Sequence, residues 1–330
     1  MHRAPRFPTI RKNPILKPLT DSDMKKLLLL IPMLVAFQLL KAQDEAIFTH
    51  YLITPILINP AAAGFGDNFQ VQFNARAQWT GFPDAPQTFG AMFNGPVANN
   101  FGIGIGVFSE SAAQMNRFKG QLNWAFKFNL SDDVKMAAGF SAAYQQMSLD
   151  NSIIGGNFYQ PGDRVVEDGL AGRQDFDASV GVFGSVRENT RFGLSFANLI
   201  QTRLDGVVTQ NNQSALQFYT FFFGHQFDID GLNFTLEPSI MARKIKDSPS
   251  QIDINLRAGF LDEQLITGIS YRTLGALGVL LGARVSNFNV FYSYDVSFQR
   301  FQRFNTGSHE VSVLLNLKFG GRQTDVERGY

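Results

Sequence analysis

The stretch from Phe69 to Trp79, FQVQFNARAQW, alternates strictly between apolar and polar residues. Its apolar residues all have odd numbers, so its side chains divide between two faces of an extended chain, whereas a helix repeats its apolar positions every three or four residues. Eleven residues at ~3.3 Å each, tilted by about 40°, cover roughly 28 Å, close to the hydrocarbon thickness of a bilayer. The pattern predicts a strand, and its length favours a membrane-spanning strand over the shorter strands of soluble sheets.

Near the start of the chain lies an apolar run with the features of an export signal. Met24 and the two lysines after it form a basic region, residues 27–40 form the apolar segment, and a small residue precedes Gln43. This run is too short for a comfortable membrane span and predicts a signal peptide cleaved before Gln43. We expect Met24 to be the true start, with residues 1–23 as an upstream extension; a genuine long leader is the alternative.

Composition excludes several classes of protein. Residues 1–42 hold eight of the 29 basic residues and two of the 28 acidic ones, so the rest of the chain has a net charge of −5, which does not suggest a nucleic-acid partner. There is no cysteine, so disulfides cannot hold the exported chain together. No apolar run after residue 42 approaches eighteen residues, which argues against helical spans, so a membrane-spanning form must be a closed barrel.

Period-two alternation recurs along the chain and predicts thirteen further strands. They cover residues 86–94, 101–109, 115–128, 133–147, 174–186, 190–198, 214–228, 232–245, 251–261, 264–272, 276–285, 288–297 and 308–319. The total is even, as in bacterial outer-membrane barrels. Connections after even-numbered strands are short except for 94–100, whereas the long connections follow odd-numbered strands, as expected of periplasmic turns and external loops.

These patterns predict an all-β fold, a transmembrane antiparallel β-barrel of the outer-membrane type with about fourteen strands. We expect the barrel to span residues 68–319. A periplasmic or lumen-lying lead should precede it over residues 43–67, and a polar periplasmic tail should follow over residues 320–330. The apolar face of each strand would contact lipid, and the polar face would line the lumen.

Many charged residues fall on the polar face of their predicted strands. Two interpretations remain open: they hydrate and cross-link the inner wall, or they line a channel or a docking surface for a partner. A wall of this size encloses more space than its own side chains fill, so water, a plug or a partner must occupy the lumen. The candidates are Arg76, Arg117, Lys119, Lys127, Asp177, Glu237, Arg243, Asp253, Arg257, Asp295, Glu310 and Lys318.

No motif predicts a catalytic, cofactor or metal site. The glycines of GIGIGV, residues 102–107, alternate within a strand, so they leave room for bulky neighbours or a plug and do not form a phosphate-binding loop. Ser308 and His309 are adjacent on a strand and must point to opposite faces. His50 and His225 show no metal-ligand spacing. The acidic residues near the fifth connection lack EF-hand spacing; they are Asp163, Glu167, Asp168 and Asp175.

Two segments around the first strand are the most distinctive in the chain: HYLITPILINPAAAGFGDN before it and RAQWTGFPDAPQTF running out of it. Together with SYR at 270–272, YSYD at 292–295 and GSHE at 307–310, they resemble the PorP/SprF family of type IX secretion system membrane proteins. The resemblance runs from Ala46 to Phe319. Ala62 stands where the family commonly has tyrosine. The matching positions are Asn59, Pro60, Ala61, Ala63, Gly64, Arg76, Gln78, Trp79, Gly81, Phe82, Ala85, Pro86 and Thr88.

The resemblance implies an integral outer-membrane barrel of Bacteroidetes, exported through its signal peptide and associated with secretion and gliding motility. Its implied role is non-enzymatic: it helps deliver or anchor secreted surface adhesins. The expected partners are the lipid bilayer, an adhesin or its C-terminal region, and periplasmic type IX components, with no cofactor and no nucleic acid. The alternative is a passive pore or small-solute transporter, which would conduct without secretion components.

Overall fold

The computed structural model of the protein describes residues 48–155, 162–200, 202–203, 218–229, 233–245, 248–273, 275–298 and 305–318. These residues all belong to one structural unit, 43–330. The upstream extension, the signal peptide and the tail expected from the sequence lie outside the described residues, and so do residues 43–47 of the expected lead.

The described residues form fourteen barrel strands. One of them, β8, is interrupted at Gln226, and a two-residue strand at Thr202–Arg203 pairs only with β6 and is not part of the barrel wall. The barrel strands are β1 (Phe69–Ala77), β2 (Gln87–Ala98), β3 (Phe101–Ala112), β4 (Met115–Ser131), β5 (Val134–Leu149), β6 (Arg173–Val186), β7 (Thr190–Phe196), β8 (Tyr219–His225 and Phe227–Ile229), β9 (Phe234–Lys244), β10 (Gln251–Phe260), β11 (Leu265–Arg272), β12 (Ala276–Val285), β13 (Phe288–Ser297) and β14 (Ser308–Leu317).

The sheet closes on itself. Each strand pairs antiparallel with its neighbours in sequence, and β14 pairs with β1, with Arg76 opposite Glu310. β8 continues the path because it pairs with both β7 and β9. Within the described residues each barrel strand therefore has a paired strand on both sides, as a sheet that lies in lipid requires. The predicted fold, an antiparallel barrel of fourteen strands, is confirmed.

The connections sort between the two ends of the barrel. Those after even-numbered strands span two to four residues each, and we call this end the turn end; the other end, with residues 78–86, 150–172, 197–218 and 298–307, is the loop end. One expected exception was wrong. Residues 94–100 are not a long turn, because β2 continues to Ala98 through a bulge near Pro96 and leaves only Asn99 and Asn100 as the turn.

Several strand ends also differ by a few residues from the sequence expectation, as β4 does by continuing to Ser131. The first strand stops at Ala77 and not at Trp79, because Gln78 N–H donates to Pro86 O at 2.8 Å and Trp79 takes a φ of 49°, which closes the loop early. The eighth strand is described from Tyr219, and residues 214–217 of its predicted range lie outside the described residues.

The two faces of the wall have the expected character. On β1, Phe73 is 58% exposed, whereas its neighbours Gln72 and Asn74 are buried. The same contrast holds on other strands, where Phe89 and Ile105 point outward and are exposed. In the isolated chain these apolar side chains form the surface that lipid would cover.

Helical structure is limited among the described residues. Short 3-10 helices cover Thr49–Leu52, Pro55–Leu57, Pro60–Ala62 and Asn151–Gly155, and one α-helix, α1, covers Arg164–Ala171 in the connection after β5. Within the described part of the chain, no helix has the length and apolar character needed to cross a membrane.

Candidate functional site

Residues 48–65, which we call the lumen segment, pack against the inner wall. Proline occupies the first position of the second and third 3-10 helices, where its missing N–H has no intrahelical role. Asn59 caps the third helix, since its Oδ1 accepts from Ala61 N–H at 3.0 Å, and its Nδ2 donates to Val182 O on β6 at 2.8 Å. The buried apolar side chains Tyr51 and Ile56 join one core cluster with residues of the wall.

Glycines in the wall make room for this segment. A Cβ on Gly102 would lie 2.1 Å from Ala63 O, and one on Gly139 would lie 2.5 Å from Ala61 Cα. Such distances to backbone atoms cannot be relieved by rotating a side chain. Gly104, the next glycine in the GIGIGV run, similarly faces Ile56 Cδ1. The alternating glycines therefore lie in a strand, and Gly102 and Gly104 form part of the contact surface for the lumen segment.

The start of the lumen segment is held by a buried ionic cluster. Glu310 accepts hydrogen bonds from the backbone N–H of Thr49 at 2.7 Å and of His50 at 3.1 Å. Arg76 donates Nη1 to the same carboxylate and Nη2 to Asp295, each at 2.8 Å. Because both carboxylates are paired and the guanidinium is forked between them, the burial of three charges is compensated by charge-assisted bonds.

A second contact joins the lumen segment to β10, three strands away from β13. Tyr51 Oη donates to Asp253 Oδ2 at 3.3 Å and accepts from Asn255 Nδ2 at 3.2 Å. Arg272 lies against Asp253 and approaches Asp295 at 3.9 Å, so this contact is continuous with the cluster around Arg76. The segment is thus tied to β10, β13 and β14 by polar groups.

A further row of ion pairs lies along the inner wall near the turn end. Glu237 lies between Arg191 and Arg257, and Glu263 lies between Arg257 and Arg284, with Arg257 Nη1 2.7 Å from Glu263 Oε2. Glu237 and Arg257 face each other directly in the β9–β10 register. This alternation of charge cross-links β7, β9 and β10, and Glu263 in the turn after β10 joins them to β12.

The inward-facing polar side chains are buried around much of the barrel. A wide, water-filled lumen would leave such side chains exposed, as in porins. Here they are at most 9% exposed on strands distributed around the wall: Gln72, Asn123, Ser141, Asp177, Ser195, Glu237, Asn255, Ser293 and Glu310. The lumen segment and the ionic rows therefore fill this part of the interior.

Acidification is expected to loosen the lumen segment through His50. Burial lowers the pKa of His50 below its usual 6.5, although nearby Glu310 opposes the shift. The docked segment therefore binds a proton less readily than a released one, so docking is most stable above about pH 6.5 and weakens as the pH falls below it. We expect faster proteolysis at residues 48–65 at about pH 5 than at about pH 7.5.

The matched control for this pH effect is His50→Asn, which keeps a polar group facing Ser312 Oγ but does not titrate. The pH dependence of proteolysis should shrink in this variant. Equal rates at both pH values in the unsubstituted protein would contradict the assignment to His50.

Other sequence candidates lie in separate parts of the interior. Lys127 donates to Gly64 O at 2.8 Å, at the end of the lumen segment. Asp177 accepts from the backbone N–H of Asn198 at 3.2 Å. Arg117 pairs with Glu110, and with Lys119 and Arg243 it lines a cavity at the loop end. Lys318, in contrast, lies beyond the end of β14 and is exposed.

The family-type loop at 78–86 has a constrained backbone. Trp79 and Asp84 adopt positive φ, and so does Gly81, at 99°. Thr80 N–H donates to Gly307 O at 2.8 Å, which ties this loop to the connection between β13 and β14. The loop lines a cavity of ≈340 Å³, bordered by Gln78, Gly81, Phe82 and Pro86 among others. These contacts hold part of the loop end in one conformation.

The histidines outside the lumen segment have structural neighbours. Ser308 is buried and accepts from Trp79 N–H, whereas His309 points outward and lies 2.8 Å from Tyr292 Oη. The two side chains are on opposite faces, as expected from their adjacency. His225 lies 2.7 Å from Thr190 Oγ1. Among the described residues, no group of three or more His, Asp or Glu side chains is placed to hold a metal ion.

Sequence reasoning missed several residues of the interior. Thr49, Tyr51, Arg191, Arg272 and Glu263 were not singled out, although each makes a polar contact inside the barrel. Arg272 does lie on the inward parity of β11, so a stricter reading of that strand would have found it. For the lumen segment the sequence offered no periodic pattern, because its 3-10 helices are only three or four residues long.

Comparison of the sequence with known protein families identifies the family to which this barrel belongs. The sequence profile of the type IX secretion system membrane protein PorP/SprF matches residues 40–315. This chain belongs to the PorP/SprF family. The membership covers every barrel strand but the end of β14, and it identifies the chain as a membrane protein of a secretion system and not as a member of an enzyme class. No curated protein sequence is significantly similar to this PorP/SprF chain.

Several solved structures are similar to this PorP/SprF chain at low sequence identity. The toluene transporter TbuX of Ralstonia pickettii is 10% identical, with 79% of this chain and 92% of that chain covered and a TM-score of 0.47. The toluene transporter TodX of Pseudomonas putida is 10% identical, with coverage of 84% and 95% and a TM-score of 0.46. Omp33 of Acinetobacter baumannii is 12% identical, with coverage of 77% and 100% and a TM-score of 0.41. Similarity at this level carries no information about transported substances.

Proposed function

We propose that this PorP/SprF protein is a docking barrel of the outer membrane that helps deliver or anchor secreted surface adhesins. It works with periplasmic components of the type IX machinery and engages an adhesin, or the C-terminal region of one, at its loop end. The single observation that carries the proposal is the filled interior: inward-facing polar side chains such as Gln72 and Glu310 are fully buried.

A filled interior favours docking, because a filled barrel presents a rigid surface to a partner and has no open channel for solutes. The wall, the lumen segment and the loop at 78–86 are joined by hydrogen bonds and ion pairs into one body. Binding to a preorganised surface avoids the conformational entropy of ordering loops and side chains on association. The family's assignment to a secretion system supplies the class of partner.

The principal rival is a passive pore or small-solute transporter. Its requirement is a path through the lumen, and the buried lumen segment, with the cluster of Arg76, Asp295 and Glu310 at its start, occupies space that such a path needs. A transporter of this kind would have to displace the segment in every conducting state. Purified protein in a planar bilayer distinguishes the two functions, since the docking barrel is expected to conduct little and the pore to conduct steadily.

Deletion of the chromosomal copy tests the proposed function directly. We expect one or a few large proteins to disappear from the cell exterior, while outer-membrane permeability to small dyes stays unchanged, because the barrel anchors a partner and does not carry solutes. Surface proteomics and dye uptake measure the two effects. An unchanged set of surface proteins together with reduced solute uptake would contradict the docking function and support the pore.

A further inference from the structure

A cavity of ≈180 Å³ lies at the loop end, between the lumen segment and the wall. The lumen segment contributes Phe48, Leu57 and Ile58 to its lining, and strand residues form the rest. Phe48 packs on Phe108 of β3, with 6.1 Å between the ring centroids. Ser195 Oγ donates to Ile58 O at 2.7 Å, which fixes the segment to β7 beside the cavity. The cavity is therefore part of the folded interior.

The charge of this lining is strongly one-sided. Among the described residues that border the cavity, four are basic and one, Glu110, is acidic, so these residues carry a formal charge of +3. The carboxylate of Glu110 forms an ion pair with Arg117, with 3.1 Å between Oε2 and Nη1. The basic residues are Arg117, Lys119, Arg243 and Lys244.

Some polar atoms of the cavity lining are buried without a hydrogen-bond partner among the described residues, and Nε of Arg117 and Oγ1 of Thr88 are two of them. Thr88 itself is only 5% exposed and borders the cavity together with Arg117. Unsatisfied buried donors are unfavourable, and an incoming acceptor oxygen would satisfy them. Nε of Arg117 can only donate and the hydroxyl of Thr88 can donate or accept, so an acceptor oxygen suits both atoms.

We infer that this cavity is a binding site for a carboxylate-bearing segment of a secreted polypeptide. An Asp or Glu side chain enters from the loop end, its carboxylate accepts from Arg117 and Thr88, and its apolar neighbours pack on Phe48 and Phe108. The inference rests on the proposed docking function and names the chemistry of the partner at the surface concerned. A carboxylate that binds to arginine in a partly buried site forms charge-assisted hydrogen bonds, which are stronger than hydrogen bonds between neutral groups.

Size and position select a polypeptide over other anions. Pockets that enclose whole drug-sized ligands measure about 300–1,000 Å³, so a cavity of ≈180 Å³ takes one side chain of a longer chain. The cavity is lined by residues that face the interior of the barrel. Lipid headgroups, in contrast, lie around the outer face of the wall. An acidic polypeptide strand entering the mouth meets both conditions.

Binding of labelled homopeptides to the purified full-length barrel tests the inference. Poly-glutamate is expected to bind saturably and to weaken as salt is raised, whereas polyglutamine and polylysine of the same length should bind much more weakly. Equal affinity for poly-glutamate and polyglutamine would overturn the proposal. Inorganic phosphate and acetate serve as small competitors, and strong competition by phosphate alone would reassign the cavity to a free anion.

Three variants separate the cavity from general charge attraction. Thr88→Val removes a buried hydroxyl that has no described partner and leaves the charge unchanged, while Lys119→Gln removes one charge at the lining. Each is expected to weaken poly-glutamate binding about tenfold or more, the usual effect of one hydrogen bond to a charged group. Lys135→Gln, an exposed position at the turn end paired with Glu188, is the matched control and should bind as the unsubstituted protein does. Unchanged binding by Thr88→Val and Lys119→Gln would overturn the site.

Expressing the same variants in cells shows whether the cavity or the docking function as a whole is wrong. If deletion of the whole protein removes an adhesin from the surface and the double variant Thr88→Val, Lys119→Gln does not, docking stands and the cavity is not its site. If deletion leaves the surface proteins unchanged, the docking function fails, and the peptide measurements alone decide whether the cavity binds carboxylates. Loss of the adhesin in both strains supports both proposals.

Discussion

Replacing Arg76 with alanine is expected to lower the free energy of unfolding by about 3–5 kcal/mol, because it leaves buried carboxylates without their cation. Glu310 is fully buried and Asp295 is 5% exposed, so water cannot take the place of the guanidinium without opening the interior. Thr49 Oγ1, which accepts from Arg76 Nη1 at 2.8 Å, also loses a bond. The lumen segment should loosen along with the wall.

Denaturant unfolding of the barrel refolded into lipid vesicles measures this effect. Arg187→Ala is the matched control: its partner is Asp133 at the turn end, both side chains are largely exposed, and such pairs contribute about 0–1 kcal/mol. The network argument fails if the two substitutions cost the same. Arg76→Lys should restore part of the stability, since an ammonium keeps the charge but cannot fork between Glu310 and Asp295.

Replacing Gly139 with valine is expected to displace the lumen segment and open the barrel to ions. A Cβ at this position would lie 2.5 Å from Ala61 Cα and 2.6 Å from Ala61 N, so the wall and the segment cannot both keep their positions. The wall is held by a full ladder of hydrogen bonds to β4 and β6, whereas the segment is held by fewer contacts, so the segment should move. Bilayer conductance should rise from a closed baseline to steady ion flow.

The control for this substitution is Gly120→Val on the neighbouring strand β4. The nearest atom to a Cβ there is 3.9 Å away, in the side chain of Phe118, so the added methyl groups meet no backbone. This variant should remain closed and should resist proteolysis at residues 48–65 as the unsubstituted protein does. A closed Gly139→Val barrel with an intact segment would show that the glycines are not what admits the segment.

The two substitutions together distinguish two ways of holding the lumen segment. Arg76→Ala removes an electrostatic anchor at the start of the segment, near Thr49, while Gly139→Val removes the space for its third 3-10 helix. The first should cost stability throughout the barrel, because the cluster also joins strands. The second should mainly release the segment and leave the wall folded.

The number of strands and the faces of the wall could be predicted from the sequence. Alternation is a local property: in the segment from Phe69 to Ala77, each residue's face follows from its number, and Gln72 and Phe73 lie on the faces that their parity predicts. The same reasoning placed Arg76, Glu237 and Glu310 on the inner wall. Strand ends were less predictable, because the positive φ of Trp79 and the bulge near Pro96 depend on hydrogen bonds to other strands.

Local periodicity could not determine the identity of the partners inside the barrel. Arg76 and Glu310 are separated by 234 residues and meet only because β14 pairs with β1 in one particular register. The lumen segment left no periodic signal, since its 3-10 helices are three or four residues long and its shape is complementary to glycines that lie far away in sequence, such as Gly139 and Gly181.

The sequence by itself therefore determined the element type, the strand count and the polarity of each face. The reason is that consecutive side chains of a strand point to opposite faces, so the alternation is a local property of the sequence. Tertiary structure decided that the interior is filled, which charges pair and where a basic cavity remains at the loop end. The physical reason is that closure of the sheet sets the register, and the register, together with the space left by glycines, brings distant side chains within bonding distance.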